Sequence, residues 1–226
     1  MKEYKFYGWE QANVPAASKT YEKIKNPKEL YDILSEIWCA DTCAPRMRER
    51  WSKENQTLGQ CSITAFLAQD IFGGKVYGIL RPGGNYHCYN VVGDCCFDLT
   101  SEQFGDEILD YRENPEQFRE VHFQKEEKRQ RYEYLKKELE TYRTDTKAAE
   151  EQKQTAEVTK SSYESLMTVV SHYSTGDMSN SALAEELLKI NAGTLGTSGK
   201  EEYDSLTEKI YPKVCESLYA TSQKNY

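Results

Sequence analysis

Residues 125–160 contain neither glycine nor proline and are dense in Lys, Glu, Gln and Ala. That composition favours one long, solvated helix and limits how the rest of the chain can be organised. Tyr132, Leu135, Leu139 and Tyr142 fall at spacings of 3, 4 and 3, a thin apolar stripe along such a helix. The stripe fades after Tyr142, which argues against a long coiled coil. Apolar residues recur at Tyr163, Leu166, Met167 and Val170. Ser179 or Asn180 then suits the cap of a helix through Ile190, which buries Leu183, Leu187, Leu188 and Ile190 and stops at Asn191-Ala-Gly. A last helical stretch is expected from about Lys200 to Tyr219, bent or broken before Pro212. The pattern divides the chain into residues 1–124 and a helical extension over 125–226, a packing or oligomerisation appendage in which His172 reads as a surface residue.

The first 124 residues hold five of the six prolines and all three tryptophans. Asn26, Pro27 and Glu29 mark the cap and first turn of a helix through about Trp38. A loop spans residues 39–59. A second helix begins near Cys61 and ends at Gly73-Gly74. Three β-like runs follow, over 75–80, 85–92 and 95–99, the last two joined by Gly93-Asp94 as a hairpin turn. The expected fold class is α+β.

With 37 acidic and 29 basic side chains the net charge is −8, and the mean hydropathy is −0.81. An acidic chain of this kind lacks the basic field of a nucleic-acid binder. No run approaches the roughly 18 apolar residues of a membrane span, and Met1–Lys5 does not read as the start of a secretory signal; the expected location is the cytoplasm. Seven cysteines, six of them between residues 39 and 96, are then unlike a disulfide framework. They call for a metal, or for one reactive thiol among small core residues.

Cys61 lies where a helix starts, a position whose unpaired N–H groups favour a thiolate and can hold an oxyanion. If Gly93 and Asp94 are the hairpin loop, Val92 faces Cys95, Tyr89 faces Asp98 and His87 faces Thr100. Side chains two apart share a face, so His87, Tyr89, Val91, Cys96, Asp98 and Thr100 lie on one side. His87 and Asp98 become diagonal neighbours, within reach of an imidazole–carboxylate hydrogen bond. A helix-start Cys packed on that face completes nucleophile, base and orienter. The same register separates Cys88, Cys95 and Cys96 too widely to hold one zinc ion; Cys88 and Cys95 belong to the hairpin's packed face. Cys39 and Cys43 leave a zinc-stabilised loop as an alternative, while the leading reading uses neither metal nor cofactor.

Four stretches, 55–65, Phe72-Gly73-Gly74, His87-Cys88-Tyr89-Asn90 and 97–104, together resemble the bacterial YunG-like proteins over about residues 25–124. The resemblance implies a compact relative of the transglutaminase-like, papain-like cysteine fold, with Cys61 as nucleophile, His87 as general base and Asp98 as orienter. Gln60 is a candidate for the oxyanion site and Trp51 for the substrate cleft, each with core packing as its alternative; Asn90 is read as structural. The expected activity is thiol-dependent acyl transfer (hydrolysis, deamidation or transamidation) on a peptide or small amide. The competing function is an inactive binding or scaffold module that engages a protein partner, or itself, through 125–226.

Overall fold

A computed structural model describes residues 3–223, side chains at 210 and 214–223 excepted. Cys215 therefore lies outside the described side chains, as does the C-terminal part of the last expected helix. The chain forms two compact units, Met1–Asp145 and Thr146–Tyr226.

The first unit is α+β. Helix α1 (Pro27–Ile37) starts as its cap demands: the Asn26 side chain accepts from the backbone N–H of Lys28 and Glu29, with Pro27 in the first turn. The Glu29 carboxylate reaches back to the Lys25 N–H at 2.7 Å. Helix α2 (Cys61–Phe72) buries nearly its whole length and stops at Gly73, whose φ of 75° lies in the left-handed region. Strands β1 (Lys75–Leu80), β2 (Tyr86–Val92) and β3 (Cys95–Phe97) form one antiparallel sheet in the order β1-β2-β3. Val92 pairs with Cys95 and Val91 with Cys96, the register the Gly93-Asp94 turn dictates. Helix α2 packs on this sheet, and the Asn90 amide of β2 donates to the Ala65 carbonyl of α2 at 2.8 Å.

Strand β3 is shorter than the run over 95–99. Past Phe97 the edge turns to the N-terminal segment, where the Asp98 N–H donates to the Tyr7 carbonyl at 3.0 Å. Thr100 consequently does not pair across from His87, whose strand partner is Ile79 of β1. The approach requires Gly8: at its φ of 76° a Cβ would lie 2.1 Å from the Cys96 carbonyl oxygen.

A short helix α3 (Arg119–His122) leads into α4 (Glu126–Ser174), a continuous helix of 49 residues. Its first turns are not a solvated appendage. Tyr132, Leu135 and Leu139 are buried in the same core as Leu30, Leu34, Trp38, Phe66, Leu67 and Phe97. This places the end of the first unit at Asp145, beyond the composition change near residue 124, because the apolar stripe needs the α1–α2 core to cover it.

In the second unit Leu166, Val169, Leu183, Leu187 and Leu195 form a small core of their own. Helix α5 (Asn180–Lys189) is capped by the Ser179 side chain. Helix α6 (Gly196–Gln223) runs through Pro212, where a bend or a break was expected, and it is not broken there. Proline there forfeits one backbone donor, and the helical bonds on both sides carry the segment past it. Among the described residues, no helix is long and apolar enough to cross a membrane.

Candidate active site

The nucleophile position is built by the loop before α2. Gly59 has a φ of 71°, and a Cβ there would lie 2.7 Å from the Cys43 sulfur, so the chain turns tightly against the 39–44 segment just before Cys61. Three groups from distant parts of the chain hold Gly59. Its carbonyl accepts from the Ala44 N–H at 3.0 Å and from Arg131 Nη2 of α4 at 3.0 Å. Its N–H donates to Gln103 Oε1 at 3.3 Å. No side chain caps the start of α2, so Cys61 stands at a helix N-terminus that keeps its free donors.

Opposite stands His87 of β2, buried at 2% exposure. Its Nε2 lies 2.5 Å from Asp98 Oδ2. The carboxylate is fully engaged. Its Oδ1 accepts from the Thr100 N–H at 3.0 Å and the Thr100 hydroxyl at 3.1 Å, and its Oδ2 also accepts from the Tyr111 hydroxyl at 3.0 Å. Tyr111 is itself clamped, stacked on Tyr7 with ring centroids 3.7 Å apart. A carboxylate on Nε2 places the proton there in the neutral ring and leaves the Nδ1 lone pair free. Nδ1 is buried and has no full hydrogen bond among the described residues, and the group interacting with the ring from the cavity side is the Cys61 thiol.

Electrostatics follow from this placement. Burial disfavours the Cys61 thiolate, but the hydrogen bond and charge of His87, aided by the Cys88 backbone N–H, outweigh it and bring the thiol down to about 7. Burial likewise disfavours the imidazolium, yet the Asp98 charge and hydrogen bond, together with Cys61, push His87 up to about 10. The two shifts favour a thiolate–imidazolium pair at neutral pH. Cys88 moves the opposite way, well above the ordinary thiol value, through burial and the nearby Cys61 charge.

Cys61 and His87 line a cavity of about 300 Å³. Its other walls come from the 44–47 segment, the 81–86 turn, Gln103 and Phe104, and the start of α4. The structure thus brings Cys61, His87 and Asp98 together. It does not bring Gln60 or Trp51 to the cavity. The Gln60 amide nitrogen donates to the Cys39 carbonyl at 3.2 Å, and its Oε1 is buried without a partner among the described residues. Trp51 packs against the core and donates Nε1 to the Gln56 carbonyl at 2.9 Å. Cys88 belongs to the core and Cys95 packs against it. The Cys43 thiol is buried and donates to the Ala44 carbonyl at 3.5 Å. Among the described residues, no three His, Cys, Asp or Glu side chains gather as ligands for a metal ion.

Four residues around the site escaped the sequence reading. Tyr111 acts from a segment without regular structure and Gln103 from a short 3-10 helix, Ser101–Phe104, neither long enough for periodicity to flag a contact. Lys128 and Arg131 sit on α4, where they look like two more charges in a charged helix.

No solved structure matches this chain. The chain is 35% identical over 72 residues to "Uncharacterized protein YunG" of Bacillus subtilis (strain 168), an alignment covering 32% of this chain and 57% of that relative. A family model described as "YunG protein" matches residues 26–144. That match extends past the 25–124 stretch of the motifs, through the part of α4 that completes the first unit's core. It contains the cysteine, histidine and aspartate of the site, and on its extent the chain belongs to the YunG family.

Proposed function

We propose that this protein is a thiol-dependent acyl-transfer enzyme, built on a compact variant of the transglutaminase-like fold. The observation that carries the reading is His87, buried between a fully hydrogen-bonded Asp98 on one ring nitrogen and Cys61 on the side that opens to the cavity. A nucleophilic helix start packed on an antiparallel sheet that supplies base and orienter is the arrangement this chemistry needs.

The Cys61 thiolate attacks the carbonyl carbon of an amide or ester, forming a C–S bond. Backbone N–H groups at the start of α2 stabilise the oxyanion; the Gln60 side chain, turned to Cys39, takes no part. The tetrahedral intermediate collapses as the C–N or C–O bond breaks, and His87 gives its proton to the leaving amine or alcohol. His87 then takes a proton from water, whose oxygen attacks the thioester; the C–S bond breaks and the thiolate–imidazolium pair is restored. An amine in place of water gives transamidation. Asp98 holds the ring's tautomer and charge throughout.

Competitive labelling with limiting iodoacetamide near neutral pH, read by peptide mass spectrometry, tests the reading. Cys61 is expected to label far faster than the other six cysteines, and His87→Gln to abolish the difference. Equal labelling of all accessible thiols in the native protein would overturn the proposal and favour the binding-module alternative.

A further inference from the structure

The cavity in front of Cys61 has a charge that the whole chain does not share. In a protein of net charge −8, its lining holds Arg46, Arg81, Lys125, Lys128 and Arg131 against a single carboxylate, Glu127. Two of these cations are committed. Arg81 pairs with Glu107 at 2.7 Å, and Arg131 bonds the Thr42 and Gly59 carbonyls and pairs with Glu127 at 3.2 Å. Arg46, Lys125 and Lys128 form no ion pair among the described residues.

Lys128 differs from the other two, which are exposed. It is half-buried and held by a relay. Gln117 Oε1 lies 2.9 Å from His122 Nε2, and His122 Nδ1 lies 3.0 Å from Lys128 Nζ. The glutamine oxygen can only accept, so Nε2 carries the imidazole proton and Nδ1 accepts from the ammonium. Burial, with the charges of Lys128 and Lys125, lowers His122 to about 4, which keeps it in that accepting form. One ammonium donor is thereby fixed and two remain for a ligand. Burial works against the ammonium's charge, the nearby Cys61 and Glu127 charges offset part of that cost, and with no carboxylate paired to it among the described residues a bound anion would offset the rest.

We propose that Lys128 is the substrate-recognition residue of this cleft, flanked by Arg46 and Lys125, and that the acyl substrate carries an anionic group, a carboxylate or a phosphate, near the scissile carbonyl. The proposal rests on Cys61 as nucleophile and adds the substrate's charge. The ammonium holds the anion while the carbonyl lies over the sulfur, and the cationic rim attracts acidic substrates that the protein's overall charge would repel.

Two alkylating agents of nearly equal size separate this proposal from the one beneath it. Iodoacetamide is neutral and iodoacetate carries a carboxylate; with both, the thiolate displaces iodide to form a C–S bond. The readout is the iodoacetate-to-iodoacetamide rate ratio at Cys61, in which the thiolate fraction cancels. In the native protein this ratio is expected to exceed that of a free thiol in solution, to fall on the order of tenfold in Lys128→Gln, and to be restored in Lys128→Arg. Raising salt on the native protein should erode the same preference, a measurement that needs no variant. A ratio equal to that of the free thiol, or one unmoved by both salt and Lys128→Gln, would overturn the anionic-substrate proposal while leaving the nucleophile intact. Slow reaction of Cys61 with both reagents would instead overturn the nucleophile itself. Inorganic phosphate and succinate, compared as competitors of iodoacetate, identify which anion the cations take.

Discussion

At the scale of single residues, the site's protonation follows from its partners. Cys61, lowered to about 7, gains its nucleophilic form as pH rises through that value. His87, raised to about 10, loses its donated proton as pH rises through that one. Acyl transfer is therefore expected to be bell-shaped, with limbs near those two values, and the pair titrates as a unit. Alkylation of Cys61 needs only the thiolate and should rise across the lower limb without the fall. Asp98→Asn removes the charge that holds the imidazolium. The alkylation midpoint should then move upward toward the ordinary thiol range, and turnover should drop on the order of a hundredfold or more; a pH–rate profile of the variant checks both. The His87–Asp98 pair was expected from a hairpin longer than the one that forms: β3 ends at Phe97 and Asp98 is held by the Tyr7 carbonyl, yet its carboxylate still reaches the ring. Tyr111, which donates to the same carboxylate, was not legible: it stands 13 residues from Asp98 in a segment without regular structure.

At the scale of elements, α4 does more than its charge pattern announces. Arg131 is 6% exposed and ties the helix to the Thr42 and Gly59 carbonyls on the approach to Cys61. Arg131→Leu leaves both carbonyls short of a charged donor, a cost of about 2–4 kcal/mol, read as a lower urea midpoint. The same variant should slow Cys61 alkylation, because Gly59 loses one of the groups that set the turn before α2. A variant that loses stability yet labels at the native rate would show that the turn holds without α4. The stripe of Tyr132, Leu135 and Leu139 showed that one face of this helix is buried, but periodicity names a face and not its partner. The caps at Asn26 and Ser179 and the stop at Gly73 were legible because each is a contact between near neighbours.

For the whole molecule, the consequence is where the first unit ends. A fragment of residues 1–145 keeps Tyr132, Leu135 and Leu139 in the shared core, whereas 1–124 loses all three. Large-to-small changes at buried leucines cost about 2–5 kcal/mol each, and a domain's total is about 5–15 kcal/mol. The longer fragment is expected to melt cooperatively by circular dichroism and the shorter one not to; cooperative folding of 1–124 would show the helix dispensable.

Residues near one another in the chain determined the elements by themselves. Capping side chains, turn glycines and the two-residue alternation of strands act within a few positions, so the helix starts and the hairpin register could be read directly. Only the tertiary structure decided what meets across long separations. The thiol of α2 comes to lie against the β2 histidine, Tyr7 and Tyr111 close around Asp98, Gln60 and Trp51 turn to the protein body, and the start of α4 brings Lys128 and Arg131 to the cavity. Those meetings depend on which buried faces cover one another, and that pairing is a property of the packed core that no local pattern of residues encodes.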